Sequence, residues 1–135
     1  MEKGKYRRNN NNGSQNSAFG SDALSQSTGS FNSAFGYYAL YSNLNGSSNT
    51  AIGKRSLDNN TTGSQNVAIG SSSGSNITTG SNNIMIGSGT KAQVPTGSNQ
   101  LNIGNSIYGA DISQSAIAKI GINVEVPTES LEVSG

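Results

Sequence analysis

Residues Gly63–Gly70 read GSQNVAIG, and the order of side chains in this octad decides the fold. Through Asn66, Val67, Ala68 and Ile69 successive positions differ in size and polarity with a period of two, the mark of a short β-strand. The flanks are Thr61-Thr62-Gly63-Ser64 before and Gly70-Ser71-Ser72-Ser73-Gly74 after, residue types that turn a chain and do not continue a strand.

Moving outward, the octad recurs. Gly13–Gly20 reads GSQNSAFG, Gly29–Gly36 GSFNSAFG, Gly46–Gly53 GSSNTAIG, Gly80–Gly87 GSNNIMIG and Gly97–Gly104 GSNQLNIG. The closing glycines are spaced 16, 17, 17, 17 and 17 residues apart, and Gly121, preceded by Ile120, stands seventeen further on. A short period held in register marks a solenoid. A second apolar patch four residues past the glycine (Leu24, Leu40, Leu57, Tyr108) predicts a strand, a turn, a shorter strand and another turn per coil. Seven such coils, paired in parallel, make a rod about 30 Å long.

Period two also sorts two faces. One carries Phe19, Phe35, Ile52, Ile69, Ile86, Ile103 and Ile120, with Ser17, Ser33, Thr50, Val67, Ile84, Leu101 and Ala118 beside them. The other carries Ala18, Ala34, Ala51 and Ala68, then Met85, Asn102 and Lys119, so its character changes after Gly87. Each coil has too few apolar side chains to offset the ordering of its backbone alone. Burial of one face against identical neighbours is therefore expected.

Composition closes off other classes. Ser, Asn and Gly fill 61 of 135 positions, and apolar types reach 31% where about 45–50% is usual for a globule. Net charge is +1, four of the eight cations lie in the first eight residues, and only Asp22, Lys54, Arg55, Asp58 and Lys91 are charged between Asn9 and Ala110. Clustered cations for a phosphate backbone are absent, which argues against nucleic acid. There is no Cys and no His, which removes disulfides, thiolates and imidazole chemistry. Apolar runs are too short to insert in a membrane, and Met1–Arg8 lacks the apolar stretch of a signal peptide.

The candidate sites are few. The column Asn16, Asn32, Asn49, Asn66, Asn83 and Gln100 reads either as ligand-binding side chains or, preferably, as amides stacked along the rod. Asp22, Asp58 and Asp111 share no coil position, as a calcium loop would require. Thr61-Thr62 and Thr78-Thr79 are in register but make only two rungs of an ice-type ladder. No phosphate-binding glycine motif stands between a strand and a helix. The carboxylates Glu125, Glu129 and Glu132 lie in the tail, outside the repeats, so no catalytic site is expected and no metal or cofactor. Tyr37, Tyr38 and Tyr41 are the one concentration of aromatics, suited to stacking on sugars or to protein contact, or else simply covering a coil edge.

The octads, GSSNTAIG and GSQNVAIG above all, with TTG one coil later, resemble the head repeats of trimeric autotransporter adhesins. They are still more similar to the related repeats of bacteriophage tail fibres and tail-fibre-like adhesins. The resemblance covers Gly13 to Gly104. It implies a left-handed parallel β-roll of three chains wound about a common axis, with the repeat face as shared interior. Lys119–Gly135 (KIGINVEVPTESLEVSG) is similar to the IGI-x-x-x-x-P-x-x-x-L-x-V-x-G connector near the ends of phage fibre shafts, which in that family often precedes a self-cleaving intramolecular chaperone. Pro127 and the alternation Val124, Val126, Leu131, Val133 fit short strands that leave the roll for a trimeric neck.

The expectation is thus an all-β protein, a parallel β-roll or β-solenoid with coils of about 17 residues in an intertwined homotrimer. Residues 1–12 form a basic, Asn-rich lead-in, 13–110 the roll and 111–135 the neck or connector. The function implied is a structural and adhesive fibre segment, of the phage tail-fibre type, that attaches to a host or target cell surface. Its place would be a virion or a cell exterior, and its partners its own copies and a surface glycan or protein receptor. A bacterial adhesin head is the alternative. A polysaccharide-acting solenoid enzyme is a third reading, opposed by the sparse acidic residues.

Overall fold

The computed structural model describes residues 13–110 and 118–135, and every regular element in them is a β-strand. The lead-in expected over residues 1–12, and Asp111 with the opening of the connector, lie outside the described residues. Six three-residue strands come from the six octads: β1 (Ser17–Phe19), β2 (Ser33–Phe35), β3 (Thr50–Ile52), β4 (Val67–Ile69), β5 (Ile84–Ile86) and β6 (Leu101–Ile103). Each pairs in parallel with the next, one period on, so Ala34 lies beside Ala51 and Ala51 beside Ala68. The chain is a β-solenoid with turns of about 17 residues.

The small face points inward. Ala34, Ala51, Ala68 and Met85 are fully buried, together with Leu24, Leu40, Leu57 and Ile77 from the turns. A coil this tight has room for one large side chain per level, so Ala on the strand is matched by Leu on the turn. The second strand expected around those leucines does not form. Leu24, Leu40 and Leu57 sit at φ +51 to +52°, a left-handed conformation that curls the backbone and is incompatible with an extended strand. Burial of each leucine offsets a strain of about 1–2 kcal/mol.

The first four strands end on a glycine for a reason of space. Gly53 has φ +133°, and a Cβ there would lie 2.5 Å from the carbonyl oxygen of Gly70 in the next coil. Gly20, Gly36, Gly70 and Gly87 share this conformation.

Polar ladders bind coil to coil. Asn32 Oδ1 accepts from the backbone N–H of Asn49 at 2.9 Å while its Nδ2 donates to Gly46 O at 2.8 Å. Asn49, Asn66 and Asn83 repeat the pattern, and Gln100 receives it. A second ladder of serines runs the other way, with the N–H of Ser47 donating to Ser64 Oγ and that of Ser64 to Ser81 Oγ. A third joins Ser27, Asn43 and Asn60, then stops at Ile77, which has no acceptor or donor to offer. Asn60 Oδ1 is left buried without a partner. In that fourth coil Gly74 stands where the earlier coils have leucine, and the Ile77 Cδ1 reaches to within 3.4 Å of where a Cβ on Gly74 would be. Ile77 fills the core that leucine fills elsewhere.

The seventh parallel coil predicted at Gly121 does not occur. Gly104 and Asn105 both take left-handed φ, +61° and +54°, a pair that reverses a chain into a hairpin. Strand β7 (Ile107–Ala110) therefore runs antiparallel to β6, and Tyr108 pairs with Asn102 instead of capping a turn. Strand β8 (Lys119–Ile122) is antiparallel to β7, so Gly121 lies beside Tyr108 and not above Gly104. Strand β9 (Leu131–Val133) then pairs parallel with β8. The tail strands continue the same nine-stranded sheet and do not depart from it.

Candidate functional site

The turn that follows each closing glycine holds the chemistry of the coils. Of its residues, those three and four past the glycine point inward (Ala39 and Leu40 in the second coil), leaving the first, second and fifth outside. In the second coil the outward positions are Tyr37, Tyr38 and Tyr41, the tyrosines singled out from the sequence. Tyr38 at φ +60° and Leu40 at φ +51° curl the turn, and this brings the rings together. Tyr37 and Tyr38 have centroids 4.3 Å apart, tilted by 47°, while Tyr38 and Tyr41 are stacked at 4.4 Å and 24°. The result is a continuous aromatic row on the rod's edge. Its Tyr38 hydroxyl is held above the ordinary phenol value, first by its hydrogen bond with Tyr37 and then by the neighbouring charges, Asp22 among them.

Coils on both sides supply polar groups at the same turn positions. Asp22, Tyr38 and Arg55 occupy one left-handed position, with φ of +60°, +60° and +56°. Backbone bonds fix their stacking: the N–H of Tyr38 donates to Ser21 O at 3.0 Å and that of Arg55 to Tyr37 O at 2.8 Å. Ser25, Tyr41 and Asp58 occupy the fifth position. Arg55 lies 3.9 Å from Asp58, a long ion pair between a mostly exposed guanidinium and a carboxylate whose side chain is 16% exposed. Burial raises the Asp58 carboxyl above its ordinary value, with Arg55 opposing. Ser25 Oγ and Asp58 Oδ1, one on each side of Tyr41, have no hydrogen-bond partner. All five charges between Asn9 and Ala110, with Lys54 and Lys91 completing the set, lie in these turns. Sequence reading counted them but did not place them beside the tyrosines. The signal was the period itself, since 22, 38 and 55 differ by one coil each.

Other candidates fare differently. In the first column Asn32, Asn49, Asn66 and Asn83 are buried and Asn16 half-buried, with Oδ1 and Nδ2 engaged in each, so they serve the coil stack and offer nothing to a ligand. Thr61 and Thr78 are in register and spend their N–H groups on the carbonyls of Thr78 and Pro95. Glu132 accepts from the Thr128 N–H and hydroxyl, apart from the tyrosine edge in the chain. Among the described residues no three acidic groups come together as a metal site, and no helix is long and apolar enough to cross a membrane.

The second feature is the outer face of the strands. Phe19, Phe35 and Ile52 are 57%, 43% and 42% exposed, Ile69 follows them, and Ile86 and Ile103 are half-buried in the same line. Phe19 and Phe35 stack at 6.1 Å. Thr50, Val67, Ile84 and Leu101 run alongside, half-buried. Six coils thus expose one unbroken apolar line, of the kind that marks an interaction surface.

Comparison with protein-family models, with curated proteins and with solved structures gives no match.

Proposed function

We propose that this chain is a structural and adhesive fibre segment that works as a homotrimer and contributes to attachment to a host or target cell surface, as a phage-type tail fibre does. One observation carries the reading: the line Phe19, Phe35, Ile52, Ile69, Ile86, Ile103 is in register through six coils and lies on the outside of a single chain. A thin solenoid with its largest side chains in water gains most by packing that line against copies of itself, and closed rotational symmetry lets every copy do so equally. The resemblance of the octads to fibre and adhesin repeats supports three as the number. Three identical edges, each with its own tyrosine row, would then bind a cell surface with avidity that one edge lacks. The reading assigns no catalytic role, and places the chain on a virion tail fibre or a cell exterior.

The test is the mass in solution, by light scattering after size exclusion. Trimerisation predicts about three times the chain mass of 13.8 kDa. Ile52→Lys with Ile69→Lys puts charges on the exposed line without touching the buried alanines, and should return the mass to that of one chain. A folded parent protein with the mass of one chain would refute the proposal.

A further inference from the structure

We infer that the tyrosine edge of the second coil is a carbohydrate-binding site that takes a neutral oligosaccharide laid along the rod. The inference rests on the attachment reading and names the ligand class for it.

The rings supply the first part. Tyr38 and Tyr41 are stacked and Tyr37 is tilted against them, so the row is too closed to form a cage around a cation. Tyr38 lies between the other two rings, so the row offers ring edges and hydroxyl tips along its length and an open ring face at its Tyr37 and Tyr41 ends, matched to the equatorial hydroxyls and the C–H face of a pyranose. The flanking coils supply the second. Asp22 lies one coil before, and Arg55 and Asp58 one coil after, at the same turn positions. Carboxylate and guanidinium groups bond hydroxyls from both sides as acceptors and donors. Two unpartnered polar atoms, Ser25 Oγ and Asp58 Oδ1, bracket Tyr41. Hydroxyls delivered as Tyr41 adjusts to a ligand would satisfy them.

Charge selects among sugars. Asp22 and Asp58 balance Lys54 and Arg55, so the edge has no net charge and would repel polyanions as much as attract them. Length selects as well. Three coils span about 10 Å, room for a segment of about two sugar rings. Elsewhere the same turn positions hold serine, as at Ser71, Ser72 and Ser75, so the aromatic row belongs to this coil and is not demanded by the fold.

That last point gives substitutions the coil already tolerates: Tyr38→Ser and Tyr41→Ser. The chain has no Trp and three of its five tyrosines lie in the row, so the change in tyrosine fluorescence that Tyr38→Ser and Tyr41→Ser abolish reports on the site. The full chain would be titrated with maltohexaose, cellohexaose and chitin hexasaccharide up to about 10 mM, with dextran sulfate as the polyanion, and checked by calorimetry. The expected result is binding of at least one neutral hexasaccharide with Kd near about 1 mM or tighter, weakened about tenfold or more in each variant and unchanged in Ser88→Ala. No binding of any neutral probe, binding of dextran sulfate alone, or binding indifferent to both tyrosine changes would overturn the inference. Light scattering on the same samples separates the two proposals. A trimer that binds no sugar keeps the fibre reading and loses this one, whereas a monomer whose sugar binding needs Tyr38 does the reverse.

Discussion

The fourth coil exchanges two core residues at once, and that exchange can be reversed. Coils one to three place leucine four residues past the glycine (Leu24, Leu40, Leu57) and a polar rung three further on (Ser27, Asn43, Asn60); the fourth places Gly74 and Ile77 there. Gly74 already has φ +62°, close to the +51 to +52° of the leucines, so its backbone is prepared for that side chain. Alone, Gly74→Leu forces a Cβ to 3.0 Å from Leu57 Cδ2 and 3.4 Å from Ile77 Cδ1, an overpacking cost of about 1–3 kcal/mol. Alone, Ile77→Asn empties a fully buried site at about 2–5 kcal/mol. It returns about 1 kcal/mol by giving Asn60 Oδ1 a donor. Together the changes restore both columns, and the double variant should lie within about 1 kcal/mol of the parent, a coupling of at least about 1 kcal/mol. Urea unfolding followed by circular dichroism would measure all four proteins at one fixed concentration, since the assembly proposed above would make the midpoint concentration-dependent. If the loss in the double variant equals the sum of the singles within about 0.5 kcal/mol, Ile77 does not substitute for the missing leucine and the account of this core is wrong.

Three further outcomes are expected. Gly53→Ala should destabilise the chain by more than about 3 kcal/mol or prevent folding, because its Cβ meets Gly70 at φ +133°. Gly89→Ala, at φ +69° with open space around it, should cost about 1–2 kcal/mol; similar effects at both sites would discredit the close-approach argument. Asn49→Ala strips the Asn66 N–H of its acceptor and leaves the Gly63 carbonyl to Asn60 Nδ2 alone, for a loss of about 1–3 kcal/mol, with the Asn66 amide exchanging faster by hydrogen-exchange NMR. Asp58 binds its proton more tightly folded than unfolded, so stability falls as pH rises past its ordinary value of 3.8. Asp58→Asn should therefore be relatively more stable at pH 7 and lose that advantage toward pH 3, and an advantage that grows on acidification would contradict the sign.

The strand positions were readable because one constraint writes itself six times. Ile69-Gly70 and its equivalents name the last strand residue and the glycine that follows it, and all six strand ends fall where the period puts them. Ile120-Gly121 satisfies the same arithmetic and fails, because Gly104-Asn105 adopts two left-handed residues in succession and turns the chain around. A period does not reveal that a glycine has φ +61° and not +130°. Alternation separated Ala68 from Ile69 but did not say which faces in. That is decided by the narrowness of the coil, where leucine from the turn already occupies the space opposite. At the tyrosine edge the residues were visible and their register with Asp22 and Arg55 computable, whereas the ring stacking depends on the left-handed turn at Tyr38.

The asparagine and serine ladders reach only one coil in either direction, and they run in opposite senses. A whole coil can therefore be duplicated or lost in the interior, as by unequal recombination, with every remaining rung finding the partner type it had before. The rod is a ruler graduated in steps of about 4.8 Å. The first coil, one residue short, shows the tolerance of the scale: Thr28 and Gly29 donate to the carbonyl of Leu44 as Leu44 and Asn45 donate to that of Thr61, so the octad's own glycine takes the place of the missing residue and register resumes. The distance between the two ends of the rod then becomes a heritable length, adjustable without redesigning either ladder.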